Sequence, residues 1–129
     1  MRKEIYTDKS PAPVGPYSQA IVAQGPLVFV SGQGPTDPAT GQMKLGSFAE
    51  QAEQVLENVK TLLEAAGTSW EHVVRVGIFL ADMSYFAELN GIYQRYLTKP
   101  YPARTTVQAG LPGGKMLIEV DCIAVVPQG

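Results

Sequence analysis

The chain has 129 residues, 45% of them hydrophobic and 17% charged, which is the length of one domain and the balance of a chain that buries its own core. Its formal net charge of -2 at pH 7, with no cluster of Lys or Arg, excludes a surface built to gather phosphate backbones, so nucleic acid is not an expected partner. No apolar run approaches the roughly 20 residues of a membrane-spanning helix, and residues 1–9 lack the apolar centre of a signal peptide, so the expectation is a cytoplasmic protein with no membrane partner.

Residues 18–23 and 27–31 are short β-prone runs around Gln24-Gly25-Pro26, a pattern that predicts an opening antiparallel hairpin. After the turn-rich stretch 34–46, Ser47-Phe48-Ala49-Glu50 has the form of a capping box, with Ser47 accepting from the amide three residues on and Glu50 reaching back. The helix it starts carries Phe48, Ala52, Val55, Leu56, Val59, Leu62, Leu63 and Ala66 at a 3.6 period and stops at Gly67. Residues 73–80 are a β-branched run. Asp82 or Ser84 then caps a second helix through Phe86, Leu89, Tyr93, Tyr96 and Leu97, which Pro100 and Pro102 end. A strand over 105–109, a turn at Leu111-Pro112-Gly113-Gly114 and a long strand over 116–126 complete the chain. This succession predicts a two-layer α+β fold, a mixed sheet with both helices on one face.

Two helices cover one face only, yet Leu27 to Val30 is apolar at every position and so meets apolar surroundings on both sides. In the last strand Ile118, Val120, Cys122 and Ala124 share the side that should meet the helices, while Leu117, Glu119, Asp121, Ile123 and Val125 share the other. Either that second face is solvated and its carboxylates keep it soluble, or another subunit covers it, as Leu117, Ile123 and Val125 suggest. A carboxylate enclosed at such an interface is the kind of group that carries protons.

Cys122 is the only cysteine and His72 the only histidine, so neither an internal disulfide nor a zinc site of three or four N/S ligands can be assembled, and no metal is expected. His72, just ahead of the 73–80 run, reads as exposed or capping. Chemistry falls to carboxylates, Arg and hydroxyls. Arg104, in Pro102-Ala103-Arg104-Thr105-Thr106, enters a strand from a proline-stiffened loop. Its guanidinium is either a surface group or a fork for a substrate carboxylate. Gly15-Pro16-Tyr17-Ser18 and Ser31-Gly32-Gln33-Gly34 each set a hydroxyl at a glycine-containing turn. Pro35 follows Gly34, so this is not a dinucleotide loop opening a helix.

Taken in order, Gly15-Pro16-Tyr17-Ser18-Gln19, Val30-Ser31-Gly32-Gln33, the helix over 51–67, Asn90, Pro102-Ala103-Arg104, Leu111-Pro112 and Ile118-Glu119-Val120-Asp121 closely resemble the RidA family of reactive imine/enamine deaminases over nearly the whole chain. The resemblance implies one RidA-like domain over 1–129, a chorismate mutase-like fold with a six-stranded mixed sheet, and a homotrimer with active sites between subunits. It also implies that the last strand lies beside the 27–31 strand, so that 111–114 is not a tight hairpin. Carried over, the family's carboxylate-binding arginine falls on Arg104 and its water-handling glutamate on Glu119. Tyr17, Ser31 and Asn90 match pocket-lining positions, and Gly32 and Thr106 match backbone contacts. Thr106 stands where many members carry cysteine, Gly34 where a bulkier aliphatic residue is usual, and Asp121-Cys122 where Glu-Ala is commoner. The implied activity is hydrolysis of small 2-imino or enamine acids, of the 2-aminoacrylate and 2-iminobutyrate type, to 2-oxo acids and ammonia, with no cofactor. Two other classes come with the resemblance. One is an oligomer that only binds 2-oxo acids or acts as a stress holdase. The other is a ribonuclease, which the lack of clustered Lys/Arg disfavours.

Overall fold

The computed structural model, which describes residues 1–128, runs β1 (Arg2–Ile5), β2 (Ala20–Ala23), β3 (Leu27–Gln33), β4 (Thr36–Asp37), β5 (Gln42–Met43), α1 (Phe48–Ala65), β6 (Val73–Leu80), α2 (Phe86–Gln94), β7 (Ala103–Gln108) and β8 (Ile118–Val125). The main sheet has the order β3-β8-β6-β7. Strands β6 and β7 are parallel, with α2 as their crossover, while β8 runs antiparallel to both β3 and β6. Strands β3 and β6 therefore share a direction, and the final strand fills the gap between them. The connection at 111–114 leads from the edge strand β7 to β8, two places away, and is not a hairpin.

Two expectations change here. The opening runs do not pair with each other. β2 pairs with β1, a strand the sequence pattern did not suggest, and β3 pairs with β8. Pro26 has no N–H to give a ladder, and Gly25 at φ 125° turns the chain out of the first pair. The apolar β3 gains more from β8, which buries it beside the core, than from a short, exposed β2. Nor are six strands joined in one sheet. Four are, and β1-β2 and β4-β5 form separate two-stranded sheets.

Helix α1 starts at Ser47, whose side chain accepts from the Glu50 amide at 3.2 Å. The return arm of the expected capping box goes to the Ser47 hydroxyl, which donates to Glu50 Oε1 at 3.3 Å, rather than to the backbone. Gly67, at φ 85°, supplies the left-handed residue that stops the helix. Asp82 accepts from the Ser84 amide at 2.8 Å and caps a short 3₁₀ turn, Met83–Tyr85, which leads into α2. That helix ends at Gln94, earlier than its apolar pattern suggested, yet Leu97 beyond it still reaches the core.

Ala52, Val55, Leu56, Val59 and Leu63 of α1 and Leu89, Ile92 and Tyr93 of α2 pack on Val76, Ile78, Leu80, Ile118, Val120, Cys122 and Ala124 of the sheet. Both helices thus lie on one face, and the alternation along β8 is as the sequence reads it, with one exception. Val125, assigned to the other face, is only 2% exposed because the turn at Gly25 folds over it, Val125 Cγ1 lying 3.1 Å from where a Gly25 Cβ would be. Strand β8 begins at Ile118 rather than 116, and Met116 is nonetheless buried.

Cys122 sits in this core, and burial, reinforced by the adjacent Asp121, pushes its thiol up to about 12. The folded pKa lies above the roughly 8.5 of a free thiol, so the stability it contributes is intact below that pH and is lost as pH rises toward 12. In native protein at pH 8, Cys122 should stay unmodified by a disulfide thiol reagent for hours and react in full on unfolding. A fast native reaction would contradict its placement.

Candidate active site

Parallel register sets Arg104 of β7 beside Val76 of β6, and Val76 is fully buried beneath the helices. The pleat therefore turns Arg104 toward the helix layer, as it does Thr106 two residues on. The guanidinium carbon lies 5.3 Å from the Tyr93 ring centroid, 5.6 Å from that of Phe86 and 5.7 Å from that of Tyr17. Tyr17 reaches this slot from a loop in which its amide donates to Gly15 O at 2.9 Å and its hydroxyl accepts from the Val14 amide at 3.2 Å. Phe86, Asn90 and Tyr93 are four and three residues apart on α2, so one helix face presents all three. Asn90 comes within contact of the same loop, its Nδ2 3.8 Å from where a Gly15 Cβ would be.

Burial lowers the Arg104 pKa, with the tyrosine hydroxyls of Tyr93 and Tyr17 acting the other way. A guanidinium stays charged across this range. Arg104 is in no ion pair among the described residues, and its buried Nη1 has no hydrogen-bond partner. The buried Asn90 Oδ1, Tyr93 Oη and Thr106 Oγ1 also lack partners. Buried polar groups left without partners cost about 1–3 kcal/mol each; the Arg104 N–H and the Tyr93 and Thr106 hydroxyls are free to donate, while Asn90 Oδ1 is free to accept.

Glu119 lies elsewhere. It pairs with Phe79 across β8 and β6, and its neighbours Ile118 and Val120 are both buried under the helices, so its side chain points to the opposite face. There it lies against Gly32. A Cβ on Gly32 would stand 2.5 Å from Glu119 Oε2 and 2.8 Å from its carboxyl carbon. Ser31 and Gly32 occupy an irregularity where β3 slips register against β8, between Val30 and Gln33, which aims both away from the helices. A hollow of about 360 Å³ adjoins them on this face, lined by Phe29, Ser31, Arg75, Phe79 and Asp121 among others.

Within one chain, then, the residues singled out from the sequence fall into two groups. Tyr17, Asn90, Arg104 and Thr106 gather on the helix side of β7. Ser31, Gly32 and Glu119 gather on the open face. Arg104 and Glu119 do not meet in a single copy. Phe86 and Tyr93 also border the guanidinium; in the sequence they look like plain apolar helix positions, although their spacing from Asn90 is visible there. His72 lies at the surface, 3.2 Å from Glu71 Oε1.

The family model described as Endoribonuclease L-PSP matches residues 7–126. Protein DfrA of Myxococcus xanthus is 50% identical over 126 residues, covering 96% of this chain and 95% of that protein. The 2-iminobutanoate/2-iminopropanoate deaminase of Bos taurus is 42% identical over 126 residues, covering 97% and 90%. The crystal structure of RidA from an Antarctic Psychrobacter superposes with a TM-score of 0.75 at 45% identity, covering 96% of this chain and 99% of that one. The chain belongs to the RidA family, whose model carries the endoribonuclease description.

The close fit of Glu119 against Gly32 makes a double-mutant cycle informative. Gly32→Ala should lower unfolding stability by at most about 1 kcal/mol, because the atoms it meets belong to the flexible end of the Glu119 side chain. Adding Glu119→Ala should recover most of that loss in urea denaturation at fixed protein concentration. Purely additive effects would show that the two do not touch.

Proposed function

We propose that this protein is a cytoplasmic hydrolase that converts small 2-imino and enamine acids, of the 2-iminobutyrate and 2-aminoacrylate type, to 2-oxo acids and ammonia in sites shared between the subunits of a homotrimer. Arg104 carries this reading. It is a half-buried cation ringed by aromatic side chains, with an unmatched N–H and, among the described residues, no carboxylate paired with it, the environment that suits a compact carboxylate ligand. Relatives named as 2-iminobutanoate/2-iminopropanoate deaminases, at 40–42% identity, support the choice of substrate.

The assembly follows from the split between the two groups. Phe29 on the open face is 70% exposed, Leu27 is exposed on the same strand, and Val107 is exposed on the opposite edge strand β7, apolar surface suited to a second copy. A neighbour laid there brings Ser31, Gly32 and Glu119 of one copy to Tyr17, Asn90, Arg104 and Thr106 of the next.

In the proposed cycle the enamine tautomerises to its imine, and the carboxylate pairs with Arg104. Glu119 accepts a proton from water as the oxygen bonds to the imine carbon and passes it to the imine nitrogen, giving a carbinolamine. It then takes the hydroxyl proton of the carbinolamine and delivers it to the amine nitrogen, and the C–N bond breaks to release ammonia as the oxygen forms the carbonyl of the 2-oxo acid. The imine carbon is already electrophilic, so positioning and one acid/base group suffice to outrun slow hydrolysis in water. Asn90 and Thr106 lie where they would hydrogen-bond the substrate's polar atoms.

The test is release of 2-oxobutyrate and ammonia from 2-iminobutyrate generated in solution by an amino-acid oxidase. Arg104→Ala should cut kcat/KM by about 10²-fold or more, the scale of losing a buried charge partner. Glu119→Gln should lower kcat by about 10²-fold or more, within the range of a lost general base. Undiminished turnover by either variant removes the assignment, and a solution mass equal to the single 13.9 kDa chain removes the shared site.

A further inference from the structure

A second cavity lies beside the Arg104 slot and plays no part in the proposed hydrolysis. It has a volume of about 380 Å³ and is built from three segments, with Glu4 and Tyr6 on one side, Gly15 and Tyr17 on another, and Lys99 and Tyr101 on the third. The size is that of a small-molecule site, about 300–1,000 Å³. The three segments are held to one another. The Ser18 amide donates to Pro102 O at 3.1 Å, the Ser18 hydroxyl lies within hydrogen-bond reach of Glu4 Oε2 and Tyr101 O and can donate its one proton to either, and Arg2 donates to Pro100 O. The cavity is therefore a cross-tied cradle rather than a gap between loose loops.

Its lining combines features that one kind of ligand satisfies together. Glu4 and Lys99 bring opposite charges, and among the described residues neither is paired with the other or with a third charged group. Three tyrosines supply aromatic wall. The oxygen of Tyr17 accepts from the Val14 amide and that of Tyr101 accepts from Gln94 Nε2 at 3.1 Å, bonds that leave each hydroxyl proton uncommitted. An anion alone would meet Glu4 and a cation alone would meet Lys99. A zwitterion satisfies both, and tyrosine rings favour an aromatic side chain over a polar one.

We propose that this cavity binds a free α-amino acid with an aromatic side chain, its ammonium on Glu4 and its carboxylate on Lys99, as a second site distinct from the Arg104 slot. The two sites share a wall. Tyr17 faces the cavity and also stacks near Arg104, and Gly15 lies between the Tyr17 ring and Asn90. An occupant that fixes Tyr17 also fixes one of the three rings around the guanidinium. This inference does not depend on imine hydrolysis, since a protein with no such activity would still bind the amino acid.

The test is calorimetric titration of the full chain with L-phenylalanine, with 3-phenylpropanoate and 2-phenylethylamine as probes lacking the ammonium and the carboxylate. L-Phenylalanine should bind, and both probes should bind at least about fivefold more weakly, as should L-phenylalanine to Lys99→Gln and Glu4→Gln. Glu4→Gln is isosteric and Lys99→Gln is shorter by one atom, both positions are exposed, and circular dichroism checks their fold. Arg104→Ala should leave the affinity within about twofold. No binding up to about 10 mM, equal affinity in the Lys99 and Glu4 variants, or loss of binding in Arg104→Ala would each overturn the proposal, the last by placing the ligand on Arg104 instead.

Discussion

A guanidinium enclosed by three aromatic rings is the constraint on which the rest of this molecule depends. Taking a cation out of water costs several kcal/mol, and each ring returns about 0.5–2 kcal/mol through its quadrupole. Tyr17, Phe86 and Tyr93 thus recover part of the cost without quenching the charge, which a carboxylate of the same chain would do. Helix α2 is placed by the crossover between the parallel strands β6 and β7, and its face bearing Phe86, Asn90 and Tyr93 is laid over Arg104 as a result. The Trp70 ring meets Tyr93 edge-on at 6.3 Å and backs that ring from the core side. The ring around the guanidinium is thus held in place by packing.

The second constraint is topological. β8 lies in the interior of the sheet and β7 at its edge, and the pleat sends Glu119 and Arg104 to opposite faces. No change of rotamer brings the two together through the sheet. Under the proposed assembly, the face bearing Glu119 in one copy must approach the edge bearing Arg104 in another, which makes the contact head-to-tail. Head-to-tail contacts either close into a ring or run on as a filament. A closed ring of few subunits is the arrangement in which every copy contributes both halves once, and it covers the exposed Phe29 at the same time.

Much of the architecture was legible in the sequence because it rests on local rules. The 3.6 period of α1, its Ser47 cap and its Gly67 stop are properties of adjacent residues, and so is the alternation of Ile118, Val120, Cys122 and Ala124. Strand pairing is not local. The runs on either side of Gly25 looked like a hairpin because nothing near them shows that β8, some ninety residues later, competes for β3, or that the polar stretch Arg2–Ile5 captures β2. The candidate site residues were singled out through family resemblance rather than through their own chemistry. Arg104 taken alone reads as a surface residue. Tyr93 and Phe86 read as core because an aromatic on a helix face looks the same whether it meets leucine or a guanidinium.

Glycine explains how the open face holds acidic groups and still offers a surface that another molecule can cover. Asp121 lies opposite Gly77 in register and fills the space a Cβ there would take, just as Glu119 fills the space above Gly32. Each carboxylate is laid along the sheet rather than standing off it, because the residue beneath it has no side chain. A standing carboxylate would hold a layer of water over Phe29 and Ile123 and oppose their burial. A flat one leaves the apolar groups as the high points of the surface. Glycine at 32, read from the sequence as a backbone contact, is thus equally a matter of room. The same absence of a Cβ sets where the Glu119 carboxylate can lie.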